Sequence, residues 1–222
     1  MSFIEEFNHI AEITVPLLLQ GLNYTIIISA LAIIISIIIG LLMGYMCISE
    51  NKCANAVARV YIKIFRCTPF MVQVYLIYYG LPALGLRLPA FWTGVITLSL
   101  YTAAYIAVIL ESGLRAIPKG QTEACMAIGM SKTKTLARIL LPQTMAIIVP
   151  SLTGQFVQTV KDSSILSVIT VAEMTMMTKE AIGITMSPLI VYLLAGIFYW
   201  ILNIVIELIA ARVEKRHKRH MI

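Results

Sequence analysis

The feature that most restricts this chain is the spacing of its charges. No Asp, Glu, Lys or Arg occurs in residues 13–49, 67–86, 88–110, 139–160 or 181–206. About 20 apolar residues cross a bilayer core of roughly 30 Å, and every one of these blocks is long enough. Lipid offers the backbone no hydrogen-bond partner, so a crossing block must be helical. The pattern predicts an all-α membrane protein with five transmembrane helices, near 20–48, 61–81, 91–114, 141–163 and 188–211. Composition points the same way. Only 13% of residues are charged, against about 25% in a soluble domain, which leaves too little polar surface for solubility.

The basic residues give an orientation, because Lys and Arg collect on the cytoplasmic side. With the amino terminus outside, the inner segments hold Lys52, Arg59, Lys63 and Arg66, then Arg115, Lys119, Lys132, Lys134 and Arg138, then Arg212, Lys215, Arg216, Lys218 and Arg219. Of the 17 basic residues, only Arg87, Lys161 and Lys179 fall elsewhere. The carboxyl terminus is then cytoplasmic. The first apolar run is not expected to be a cleaved signal peptide, since its leading flank carries Glu5, Glu6 and Glu12 and no basic residue.

Several functions drop out. The basic tail 212–222 directly follows a span, so it reads as a contact for anionic lipid headgroups and not for nucleic acid. Cys47, Cys53, Cys67 and Cys125 show no Cys-x-x-Cys spacing, and His9, His217 and His220 lie near the ends, so no metal or cofactor site is expected. The string Gly129-Met-Ser-Lys-Thr133 lacks the G-x-x-x-x-G-K-[ST] phosphate-loop pattern. The chain is therefore expected to hydrolyse no ATP itself.

Between the spans the sequence is uneven. Phe3, Phe7 and Ile10 recur opposite Glu5, Glu6 and Glu12, the pattern of a short amphipathic helix on the outer surface, or of a frayed terminus. Gly40 and Gly44, four apart, permit close helix packing. Segment 115–141 is the longest connection on the inner side. Pro118 can open a helix there, Gly129 can stop it, and Ser131 can cap a second helix over 130–140. Such a loop, with short helices along the membrane and joined directly to spans on both sides, has the form of a docking surface. Segment 164–187 reads as a re-entrant or outer-surface helix.

The docking loop contains Glu123-Ala-Cys-Met-Ala-Ile-Gly129, nine further residues, and then Ile139-Leu-Leu-Pro142. This resembles the EAA motif of ABC-importer permeases, with Cys125 in place of the second alanine. Arg66-Cys-Thr-Pro-Phe-Met-Val-Gln73 is similar to a segment of the polar amino-acid permeases in that group, in which Arg66, Thr68 and Pro69 form a structural motif. Tyr105-Ile-Ala, Ile117-Pro-Lys-Gly-Gln121 and Lys161-Asp-Ser-Ser-Ile-Leu-Ser-Val168 are similar too. The likeness covers about residues 20–210. It implies a single permease domain of the type I importer fold in a bacterial cytoplasmic membrane. It also implies a second permease subunit, identical or homologous, an external substrate-binding protein, and a cytoplasmic ATPase in two copies that holds ATP and Mg. The implied substrates are amino acids of the glutamine, arginine, histidine or cystine type. The loop would be the coupling helix, with Glu123, Ala124, Cys125, Gly129, Ile139, Leu141 and Pro142 in the ATPase-coupling set. Its small residues suit a partner's groove, and Glu123 is expected to cap or hydrogen-bond near the helix start.

Ionisable residues within spans mark functional sites by default. The candidates for a substrate pathway are Gln73, Glu111, Gln155, Gln158, Lys161, Asp162, Ser163 and Ser164, with Glu207 a weaker addition at the interface. Lys161 and Asp162 serve either a substrate's charged groups or a broken helix, and Glu111 has Arg115 one turn on as an alternative partner. The resembling permeases often carry Glu where this chain has Val108, and Arg where it has Glu111. An ion-driven secondary transporter would need inverted repeats within the chain, and none is visible. A membrane enzyme would need a nucleophile–base pair or cofactor motif.

Overall fold

The computed structural model describes the backbone of residues 3–219 and the side chains of residues 5–212. The basic side chains of the tail beyond Arg212 therefore lie outside the described residues. Every regular element among those described is helical. Four helical stretches are long and apolar enough to cross a membrane, and one bent helix pair meets the same test when taken together.

The first helix, α1 (Phe3–Ile48), is continuous over 46 residues. The amphipathic segment expected over 1–18 is, from Phe3 onward, helical and continuous with the helix of the first span, not a separate helix. Its apolar stripe is covered by protein: Ile10 packs with Ala181 and Val191, and Leu18 with Met174, Leu194 and Ala195. Pro16 removes one backbone bond without ending the helix.

The second predicted span is broken. Helices α2 (Lys52–Cys67) and α3 (Phe70–Ala83) meet at 107° across Thr68 and Pro69. A residue before proline is pushed out of the helical region, and Thr68 takes φ −117° and ψ 147°. The carbonyls freed by the break find side-chain donors. The Thr68 hydroxyl donates to the Ile64 carbonyl at 2.7 Å, and the Gln73 amide donates to the carbonyls of Phe65 and Thr68 at 2.9 and 3.1 Å.

Helix α4 (Ala90–Ala116) forms the most extensive pair with α1. The glycine spacing serves this contact inside the chain. A Cβ on Gly40 would lie 2.6 Å from Ile106 Cγ2, and one on Gly44 would lie 3.0 Å from the Ala107 carbonyl oxygen. The connection between α4 and α7 holds α5 (Lys119–Ala127) and α6 (Lys132–Thr135). The second helix expected there does not lie apart along the membrane. It runs through a π-helical turn, Leu136–Leu140, straight into α7 (Leu141–Asp162). Pro142 cannot donate to the Arg138 carbonyl, and the wider turn accommodates the missing bond. Beyond α7 come a 3-10 turn (Ser163–Ile169), α8 (Met174–Thr185) and α9 (Pro188–Arg219). Helix α8 lies against α1, where the Met174 N–H donates to Thr25 Oγ1 at 3.1 Å.

Candidate functional site

The loop between α4 and α7 is built from capping chemistry. Pro118, with φ −58° and ψ 137°, opens α5. At the other end the Met130 N–H bonds the Cys125 carbonyl and the Gly129 N–H bonds the Met126 carbonyl, both at 3.0 Å. Those two bonds define a Schellman stop, which needs a left-handed residue, and Gly129 supplies it at φ 76°. Ser131 then accepts from the Lys134 N–H at 3.5 Å and opens α6. The helix runs from Lys119, directly after Pro118, to Ala127.

Two of the expected roles change. Cys125 is buried at 6% exposure and faces its own chain, because helical rotation turns it away from Ala124 and Ala127. Glu123 sits mid-helix, exposed, and among the described residues makes no side-chain hydrogen bond or ion pair, so it caps nothing. The outward surface comprises Lys119, Gly120 and Gln121 in the first turn and then Glu123, Ala124, Met126, Ala127 and Ile128, the last 76% exposed. Ile139 and Leu141 are half-buried where the loop joins α7, and Pro142 is exposed.

Ion pairs hold both ends of this loop. At its exit Lys132 meets Glu50 at 2.5 Å and keeps that carboxyl below the usual carboxylate range. At its entry Glu111 receives Arg59 through both guanidinium ends, at 2.6 and 3.0 Å, and Arg115 at 2.9 Å. The Arg115 pairing weighed from spacing is present, joined by an arginine 52 residues away in sequence.

The candidate pathway residues fall into separate places. Gln73 is buried in the α2–α3 break, with its amide nitrogen consumed there and its Oε1 unpartnered. Beside that break Arg66 lies 5.1 Å over the Tyr105 ring. Gln158 donates to Asp162 at 2.8 Å, one turn apart on α7. Ser163 is buried and donates to the Val160 carbonyl at 2.7 Å, bracing the turn, while Gln155 and Ser164 are half-buried. Lys161 is exposed and lines a groove of about 360 Å³ between α7 and α9 with Asn203 and Glu207. The Asn203 Oδ1 beside it is buried without a partner.

A profile described as binding-protein-dependent transport system inner membrane component matches residues 32–219. The chain belongs to that family. This permease is 36% identical over 206 residues to the glutamine transport system permease protein GlnP of Escherichia coli (strain K12), covering 92% of this chain and 94% of that one. It is 33% identical to the arginine transport system permease protein ArtQ of Bacillus subtilis (strain 168), with the same coverage. The L-cystine transport system permease protein TcyB of the same organism is 34% identical over 93% of this chain and 88% of its own. Among solved structures, an amino acid ABC transporter with histidines superposes with a TM-score of 0.86 at 30% identity, covering 97% of this chain and 99% of that one. The fold is therefore that of the importer permeases, and members of the family lack an ATPase domain of their own.

Sequence reasoning about this permease missed two groups. One is Arg59 and Glu50, whose partners lie far away in sequence. The other is Glu173, fully buried at the start of α8. Its carboxylate accepts the N–H groups of Thr175 and Met176 at 2.9 and 2.8 Å and the Tyr199 hydroxyl at 2.9 Å. The signal was an acidic residue immediately before a helix, where negative charge and capping acceptors are favoured.

Proposed function

We propose that the chain forms one half of the membrane pathway of an ATP-driven importer for a polar amino acid or close relative. The observation that carries this reading is α5, a short, largely exposed helix joined by short turns, residues 117–118 to α4 and residues 128–131 to the α6–α7 stretch. A rigid element so joined can pass a partner's closure to the spans as a rigid-body shift. Coupling is assigned to Glu123, Ala124, Gly129, Ile139, Leu141 and Pro142, with Cys125 supporting the helix from behind. The amino terminus lies outside and the carboxyl terminus in the cytoplasm, as the distribution of basic residues favours. ATP and Mg bind the separate ATPase. A second permease subunit and an external binding protein complete the assembly in the bacterial cytoplasmic membrane.

Relatives named for glutamine, arginine and cystine support the substrate class. Within the spans, Lys161 offers a cation for a carboxylate, and Asn203 and Glu207 offer acceptors for an ammonium across the same groove. Gln155, Gln158, Asp162, Ser163 and Ser164 form the α7 side of the pathway. Gln73 shapes the pathway by locking the break. Glu111, with both oxygens occupied by arginines, acts elsewhere.

The test is uptake into proteoliposomes holding the chain with its co-expressed ATPase, a binding protein and a panel of amino acids. ATP-dependent uptake is expected, abolished by Glu123→Ala or Gly129→Asp in protein that still folds. Uptake that follows an ion gradient and ignores both substitutions would sink the reading.

A further inference from the structure

The Arg59–Glu111–Arg115 cluster carries an inference that rests on the ATP-driven reading above. Glu111 belongs to α4, and its side chain is 9% exposed. Arg115 is two residues before the Ile117–Pro118 entry to the coupling loop. Arg59 belongs to α2, whose far end is the Thr68–Pro69 break. One carboxylate thus ties the root of the coupling helix to the cytoplasmic half of a broken span. The contact is forked, which fixes direction as well as distance.

Along α2 the attachment continues. Ala58 and Ile62 pack on Ala107, the Tyr61 hydroxyl donates to the Leu100 carbonyl at 2.6 Å, and Arg66 lies over Tyr105. Helix α2 is thus seated along α4, with the Glu111 fork as its attachment nearest the loop, and displacement passed to α2 there is carried to the break. There the backbone has already left the helix, with the Gln73 amide donating to the Phe65 and Thr68 carbonyls and the Thr68 hydroxyl to the Ile64 carbonyl. The exit tether, Lys132 with Glu50, has side chains 78% and 84% exposed; water and salt weaken such a pair. The entry cluster is the stiffer of the two.

We propose that Glu111 is a positioning residue that makes α2 follow the coupling loop, so that motion generated at α5 is delivered to the Thr68–Pro69 break. Glu111 touches no substrate in this role. Neutralising it leaves α5 free to engage the ATPase while α2 lags, so ATP is spent without import.

The experiment compares wild-type complex with Glu111→Gln and Arg59→Lys in proteoliposomes. Substrate imported per ATP hydrolysed is measured, together with thermal stability. Coupling free energies between sites are typically 5–150-fold, so a fall of roughly tenfold in that ratio is expected for Glu111→Gln, with hydrolysis retained. Arg59→Lys keeps the charge and loses the fork, and should give a smaller fall in the same direction. It decides the matter alone if the glutamine variant does not assemble. Glu50→Gln should leave the ratio unchanged. A wild-type ratio in both variants overturns the inference, as does a parallel loss of uptake, hydrolysis and stability. If the wild-type complex shows no ATP-driven uptake, the underlying function fails and the inference with it.

Discussion

Replacing Gly40 by alanine tests the closest approach between α1 and α4. The new Cβ would sit 2.6 Å from Ile106 Cγ2, 2.7 Å from Ile106 Cβ and 3.1 Å from the Ala103 carbonyl oxygen. Carbon atoms prefer about 3.5–4.0 Å, so the two helices must separate by on the order of 1 Å. Ile106 Cβ is fixed to its backbone and cannot rotate away. Forcing a methyl into a packed contact costs about 1–3 kcal/mol, and alanine returns about 1 kcal/mol of helix propensity over glycine. The net expectation is a loss of up to about 2 kcal/mol, or about 4–8 °C for a chain of this size. Gly154 is the matched control, with nothing within 4 Å of its added Cβ. Alanine there should be neutral or stabilising, by up to about 1 kcal/mol. The assay is a heating series in one detergent, followed by size-exclusion chromatography with fluorescence detection. Adding Ile106→Ala to the Gly40 variant should recover part of the loss. A Gly40→Ala protein that melts at or above Gly154→Ala would refute the close approach.

Glu173→Ala removes the acceptor for two backbone N–H groups and for Tyr199, and should lower stability by about 2–3 kcal/mol in the same heating assay; Glu173→Gln, which keeps one acceptor, should lose less. Gly129→Ala meets open space but must hold φ 76°, at a cost of about 1–2 kcal/mol. Its expected readout is weaker co-purification of the ATPase with membrane insertion intact.

What the sequence made legible follows from what the bilayer forbids. A charge-free block long enough to cross has no alternative to a helix, so the spans could be read without any knowledge of packing. The same holds for the ends of α5, where Pro118 and Gly129 act through their own backbone geometry. Features that depended on a distant partner were hidden. Glu5, Glu6 and Glu12 gave residues 1–18 the pattern of a separate surface segment, whereas from Phe3 the chain is one helix whose Ile10 and Leu18 are buried against α8 and α9. Pro69 announced a disturbance, but a bend of 107° needs Gln73 and Thr68 to satisfy the carbonyls it frees.

The candidate site divides along the same line. Local chemistry pointed to the coupling loop, whereas the partners of Glu111 and the inward turn of Cys125 emerge only from tertiary structure. Glu111 is the instructive case. An ionisable residue within a span is costly unless paired, and default reasoning makes it a pathway residue. Here two arginines occupy both oxygens, one at the entry to the loop that holds α5 and one on the broken span. The burial cost is met by two charge-assisted partners, one on the same helix and one on α2. An intramembrane charge therefore argues for function in this chain, but the function it argues for depends on what holds it.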